Sequence, residues 1–280
     1  MIDAGNFLSR GLRERLLRAE LTMKALAAIH YDVLNLGPYD FVLGPDYLKR
    51  KAMEFSLPLL SSNIRIPDSS DWLNPYKILD IDDFKLGIIG LIPTNFAQKV
   101  PAPAQDLSKI EVLAPEEALK GLLPELNQKT DALLLLSQLS LNETIELLEK
   151  FPDIKIAIIA RKPKRDEDLK VLSRLKDQKV FFCAPKGTSL GVMTILIKDK
   201  NNYEILDNHL IKLDKNVVMD PEINKLVAEA YFNTKERFKV DSQENLLKNL
   251  EMSPEEFFNN APIIQKRKNH NEKDKSDKCQ

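Results

Sequence analysis

Apolar residues along the chain cluster in short runs that alternate between two periods. From 14–29, ERLLRAELTMKALAAI, apolar side chains recur every three or four positions, which predicts an amphipathic helix with charges on its outer face. DVLNL at 32–36 then reads as a buried strand. A glycine-bounded loop follows at 37–44, GPYDFVLG, and 31–44 is the stretch around which the rest is arranged, since loops at strand ends carry chemistry. Beyond it the pattern predicts a helix opening at proline over 45–54, a strand at 57–64, and two strands at 74–82 and 84–92 joined through Asp82 and Asp83 as a hairpin. Residues 93–115 hold four prolines without a period and read as a long loop, either a lid or a solvated connector.

The alternation then continues: helix 115–126, strand DALLLLS, helix 142–150, strand IKIAIIA, the basic loop RKPKR, helix 166–175 and strand VFFCA. A turn at 187–191 and the strands VMTILIK and YEILDNHLIKL follow. Near-continuous apolar strands alternating with helices imply a mainly parallel sheet buried on both faces. From Asp220 the pattern becomes helical, and QKRKNHNEKDKSDKCQ at the end has no core-forming residues, which predicts disorder. The expected division is therefore a main α/β domain over 1–215, a helical extension over 216–262 and a polar tail over 263–280.

Composition narrows the partners. The 41 basic and 42 acidic residues leave a net charge of −1, so nothing in the total calls for nucleic acid. No run approaches the roughly 18 apolar residues of a membrane span, and the first residues lack a basic segment followed by an apolar one. With two cysteines, Cys183 in an apolar run and Cys279 near the end, neither a disulfide framework nor a cysteine metal site is expected. The three histidines, His30, His209 and His270, have no ligand spacing. His30, where the first helix turns into a strand, reads as a turn or cap residue in a left-handed position that glycine would normally take. Ser137 and Ser189 have no histidine placed as a base, and phosphate-loop and dinucleotide glycine patterns are missing.

The ordered set DAGNF, YDVLNLGPYDFVLG, LLSSNI, PYKIL, KLGIIGLI, DALLLLSQLS, IKIAIIARKPK and KGTSLG resembles the calcineurin-like metallophosphoesterases, and within them the N-terminal domain of bacterial 5′-nucleotidases. It covers residues 2–213. The resemblance implies a four-layer α/β/β/α sandwich with two divalent metal ions held by strand-end loops, which activate water for phosphate-ester hydrolysis. It also implies an Asp-x-His motif upstream of the first residue, hence a domain expected to lack its first strand and an export segment.

Set against that family's motifs, Gly5-Asn6 stands for a Gly-Asp pair whose aspartate bridges the metals. Gly37-Pro38-Tyr39-Asp40 stands for Gly-Asn-His-Glu/Asp, Ser137-Gln138 for Ser-His, and Arg161-Lys162-Pro163-Lys164 for Gly-His-x-His. The resemblance thus puts Asn6, Pro38, Tyr39, Gln138, Lys162 and Lys164 where ligands or a proton donor would be, and keeps only Asp40. An ammonium about 4 Å from a divalent cation is opposed by roughly 8 kcal/mol at an effective dielectric of about 20, or roughly 2 kcal/mol in water, and protonated lysine has no lone pair to donate. The expectation is no metal cofactor and no catalytic residue: a binding or scaffold domain for a protein partner or a small anion. Two alternatives stay open. Arg161, Lys162, Lys164 and Arg165 could hold a phosphate or nucleotide without metal, or could simply form a solvated basic loop before the acidic start of the next helix. A residual phosphoesterase is the other.

Overall fold

The computed structural model describes residues 1–8, 15–100, 107–162, 165–184, 187–199 and 202–228. The compact unit spans Met1–Leu226; the tail at 263–280, Cys279 and His270 lie outside the described residues.

Very short strands build the first sheet. β1 (Ile2–Asp3) leads to helix α1 (Arg15–Ala28), β2 (Val33–Asn35), a 3₁₀ turn (Pro38–Phe41) and α2 (Pro45–Glu54). β3 (Leu59–Leu60), β4 (Ile64–Arg65) and β5 (Leu73–Asn74) follow. β1, β2, β3 and β5 form a four-stranded parallel sheet in the order β1-β2-β3-β5. α2 starts at the expected residue because Gly44, at φ 84°, frees the chain to turn and Pro45 fixes the first helical φ. After α1, His30 takes φ 57°, as expected of the helix-to-strand turn; a non-glycine residue there costs on the order of 1 kcal/mol.

The second sheet has five strands. β6 (Tyr76–Ile81) and β7 (Phe84–Leu91) form the expected antiparallel hairpin, with Asp82 at φ 53° in its turn. The proline-rich stretch is less bare than its composition suggests. It contains the short α3 (Phe96–Lys99) and β8 (Glu111–Val112), which pairs with β4. Next come α4 (Pro115–Lys129), β9 (Ala132–Ser137), α5 (Leu141–Lys150), β10 (Ile154–Ile159), a 3₁₀ segment (Asp166–Arg174) in place of the expected helix, and β11 (Lys179–Phe182). The sheet order is β11-β10-β9-β7-β6, parallel except at the β6 edge. α5 opens on a capping box: Ser140 Oγ accepts from the Glu143 N–H at 3.3 Å while the Ser140 N–H donates back to Glu143 at 2.9 Å.

Side chains alternate across each strand, and the three cores they build fix the layers. Leu34 and Leu59 of the first sheet pack with Met23 and Leu26 of α1 and Tyr47 and Leu48 of α2. Val33 and Leu60, on the opposite face, meet Ile88, Leu134 and Ile156 of the second sheet. Ile89, Leu135 and Ala157 then meet Leu119, Leu123 and Leu126 of α4 and Ile145 and Leu148 of α5. This is an α/β/β/α sandwich, and β7, β9 and β10 read as near-continuous apolar runs because each is buried on two faces. A hairpin of β12 (Ser189–Asp199) and β13 (Asn202–Lys212) lays Met193, Ile195, Tyr203 and Ile205 against the inter-sheet core. Residues 221–228 are helical, capped by Asp220, whose carboxylate accepts from the N–H groups of Glu222 and Ile223.

Candidate functional site

In open α/β sheets the space beyond the carboxyl ends of parallel strands is where ligands are met. Here the loops after β1, β2, β9 and β10 converge at that end. The chain folds this way locally because Gly5 (φ 101°) and Asn6 (φ 68°) both adopt left-handed backbone, which glycine and asparagine tolerate best. Two close approaches require glycine as well: a Cβ on Gly5 would sit 2.8 Å from the Asn35 carbonyl oxygen, and one on Gly37 would sit 2.5 Å from Asn6 Oδ1.

Asn6 is the hub. Its Nδ2 donates to Gln138 Oε1 at 2.5 Å, and its Oδ1 accepts from the Tyr39 N–H at 2.8 Å. Gln138 in turn donates from Nε2 to the Ala4 carbonyl at 2.6 Å. The amides of Asn6 and Gln138 thus lock the loops after β1, β2 and β9 to one another.

Asp40 is the second tie. It is 1% exposed, and its two carboxylate oxygens accept from three backbone N–H groups: Asn6 and Gly37 on Oδ2 at 2.9 and 2.8 Å, and Leu8 on Oδ1 at 2.9 Å. Burial pushes its pKa up to about 7, against the pull of those three donors, with the nearby Asp3 charge adding to the rise. Asp3 itself is raised by burial while its Oδ1 accepts from the Gly5 N–H at 2.7 Å.

Above this network the Arg161 guanidinium lies 5.3 Å from the centroid of the Tyr39 ring, a cation–π contact joining the loop after β10 to the 3₁₀ turn. Pro38 is buried as the first residue of that turn. Lys162 and Arg165 are exposed, and Lys164 lies outside the described residues. The structure therefore brings together Asn6, Tyr39, Asp40, Gln138 and Arg161, and leaves Lys162 and Arg165 at the solvent side.

Several buried polar residues at the same end escaped the sequence reading. Asn35 is fully buried between the sheets, where its Nδ2 donates to the Ala4 carbonyl at 3.1 Å and its Oδ1 has no partner among the described residues. Ser62 Oγ accepts from the Gly90 N–H at 3.0 Å and donates to the Pro75 carbonyl at 2.6 Å. Asn63 spans the Ile92 and Leu113 carbonyls and also accepts the Ile92 N–H. The signal available was the run Ser61-Ser62-Asn63 directly after an apolar strand, since polar groups carried into a core need partners there.

A dinuclear hydrolytic centre needs carboxylate, imidazole and amide oxygen donors aimed into one space. Among the described residues no three His, Cys, Asp or Glu side chains come together. The Asn6 oxygen is taken by a backbone N–H, its nitrogen faces Gln138, and both Asp40 oxygens serve the loop backbone. This donor set does not fit a pair of divalent cations.

The fold is that of the calcineurin-like phosphoesterases and 5′-nucleotidases. The chain is similar to the NAD 5′-nucleotidase of Haemophilus influenzae, 25% identical over 162 residues, which is 56% of this chain and 26% of that protein. It superposes on the crystal structure of the calcineurin-like phosphoesterase YfkN from Bacillus subtilis with a TM-score of 0.65 at 17% identity, over 85% of this chain and 84% of that one. The structure of the Haemophilus influenzae NAD nucleotidase gives a TM-score of 0.62 at 17% identity over 84% and 51% of the two chains. The chain thus spans about a quarter of the curated relative it matches. No family model matches it.

Proposed function

We propose that this protein is a metallophosphoesterase-type domain without a working metal centre, kept as a non-catalytic binding or scaffold domain. The observation that carries the reading is the Asn6–Gln138 amide pair. Two positions that the resemblance makes metal ligands are satisfied by each other and by backbone groups, so they hold the loops closed without an ion. Tyr39, with the Arg161 guanidinium 5.3 Å from its ring centroid, stands where the resemblance puts the proton donor.

A hydrolysis assay tests this reading. Purified full-length protein, supplied in turn with manganese, zinc, iron and magnesium, is expected to hydrolyse neither p-nitrophenyl phosphate nor AMP above the buffer rate. Turnover that depends on added metal and disappears in Asn6→Ala would instead establish a residual phosphoesterase.

A second reading is favoured by Arg161, which stands at a strand end with its guanidinium against the Tyr39 ring. With Lys162, Lys164 and Arg165 on the same short loop, it would hold a phosphate or nucleotide by charge-assisted hydrogen bonds alone. Calorimetric titration with phosphate, AMP and ATP tests it: saturable heat lost in Arg161→Ala supports anion binding, and no heat at millimolar ligand removes it.

A further inference from the structure

β6 is an open edge of the second sheet. The order β11-β10-β9-β7-β6 leaves β7 as its one strand partner among the described residues. The neighbouring strand decides which of its backbone groups face outward. The Lys85 N–H donates to Asp131 Oδ2 at 2.8 Å, and the Lys85 carbonyl accepts from the Asp131 N–H at 2.8 Å, so Lys85 directs its backbone toward β9. Asp80, which pairs with Lys85, is therefore at a non-hydrogen-bonded position of the hairpin, and by alternation so is Ile78. The N–H and C=O groups of these two residues point away from β7 and have no partner among the described residues.

A basin of about 890 Å³ opens beside this edge, at the amino ends of β7 and β9 and so at the opposite end of the sandwich from the Asn6–Gln138 network. Ile78, Ile81, Phe84 and Ile197 give it an apolar floor, and Ile81 and Ile197 are 46% and 37% exposed. Ile81 shares its face with Phe84, whose ring meets Tyr203 at 6.0 Å, and Tyr203 pairs with Ile197 across the β12–β13 hairpin. The charges around the floor do not balance. Two of the lining lysines are already paired, Lys129 with Glu125 at 2.6 Å and Lys198 with Glu204 at 3.0 Å. Asp80, Asp82 and Asp83 form no ion pair among the described residues, and against them stands Lys85. Apolar surface, open backbone and uncompensated carboxylates thus meet along one strand.

We propose that β6 is a docking edge for an extended, basic segment of a partner protein, which adds to the second sheet as a further strand. Strand addition satisfies the outward backbone groups of Ile78 and Asp80. Alternation of side chains along the added strand then dictates its chemistry. On the face shared with Asp80, and beside the Asp82–Asp83 turn, it carries lysine or arginine. On the face shared with Ile81, where Ile197 lies exposed, it carries apolar residues. An acidic segment would set like charges against the three aspartates, which costs affinity. The edge lies apart from the strand-end loops, so this reading is independent of whether those loops hold a metal.

Full-length protein titrated with a short capped peptide alternating lysine and valine tests this, read by calorimetry and by amide hydrogen exchange resolved residue by residue. Saturable binding is expected, with exchange at Ile78 and Asp80 slowed severalfold or more, while Leu79 and Ile81, already bonded to β7, change little. The triple variant Asp80→Asn, Asp82→Asn, Asp83→Asn keeps the hairpin, since asparagine tolerates the left-handed backbone that Asp82 holds at φ 53°. It is expected to bind the peptide roughly tenfold or more weakly. The same peptide with glutamate in place of lysine is expected not to bind. Absence of saturable binding at millimolar peptide overturns the proposal. So does binding that leaves exchange at Ile78 and Asp80 unchanged, or that the triple variant retains in full. Slowed exchange at those same amides in concentrated protein without peptide would put a second copy on the edge and equally overturn it.

Discussion

Asn6 and Gln138, 132 positions apart in sequence, share a 2.5 Å hydrogen bond across the ends of two strands in different sheets. Asn6 makes it from left-handed backbone at φ 68°, so its side chain and its backbone contribute separately. Asn6→Gly removes the side-chain bonds and keeps the backbone relaxed; Asn6→Ala removes the bonds and adds the left-handed penalty. Chemical denaturation is expected to show Asn6→Gly losing about 1–3 kcal/mol and Asn6→Ala about 1 kcal/mol more.

Gly90 and Asn35 form a second inter-sheet constraint. A Cβ on Gly90 would fall 2.1 Å from Asn35 Oδ1 and 2.3 Å from Leu60 Cδ2. Gly90→Ala is therefore expected to cost more than about 2 kcal/mol through overpacking. Combining it with Asn35→Ala should recover part of that loss, giving a non-additive double-mutant cycle. Additive losses in the melting of the four proteins would mean the two residues do not share this space.

Asp40 sets a pH dependence whose sign follows from its environment. Its folded pKa, about 7, lies above the ordinary 3.8, so between about pH 4 and 7 the folded protein holds a proton that the unfolded chain has released. Stability then falls as pH rises through that window, and the buried charge is fully unfavourable above pH 7. The expected drop from pH 5 to pH 8 is a few kcal/mol, on the order of 1.4 kcal/mol for each tenfold fall in proton concentration up to about pH 7. Asp40→Asn cannot accept all three N–H groups and should be less stable than wild type at pH 5. Its denaturation free energy should lack this part of the pH slope.

Much of the sandwich was legible in the chain because its signals are local. Pro45 and Pro115 open α2 and α4, and the runs in β7, β9 and β10 betray strands buried on two faces. The strand expected over 57–64 is split into β3 and β4, and β5, two residues long, is held by its neighbours rather than by a pattern of its own. The segment Asp166–Arg174 has helical spacing yet forms a 3₁₀ run. At the site, motif positions located Asn6, Tyr39, Asp40, Gln138 and Arg161, while their bonding to one another depends on strand ends brought together only by the finished fold.

Rebuilding the loop after β2 on its own is expected to achieve little. Pro38→Asn with Tyr39→His supplies an amide and an imidazole, but Asn6 and Gln138 would still face each other and Arg161 would lose the Tyr39 ring beneath it. The double variant should show no p-nitrophenyl phosphate hydrolysis above wild type with any divalent metal present.

Metal stoichiometry tests the loss of the dinuclear centre most directly. Full-length protein purified from metal-supplemented cells, equilibrated with manganese or zinc and freed of excess ion, is measured by elemental mass spectrometry. The closed amide network predicts well below one divalent ion per chain. A content of roughly two ions per chain, the number a dinuclear hydrolytic centre holds, would contradict it.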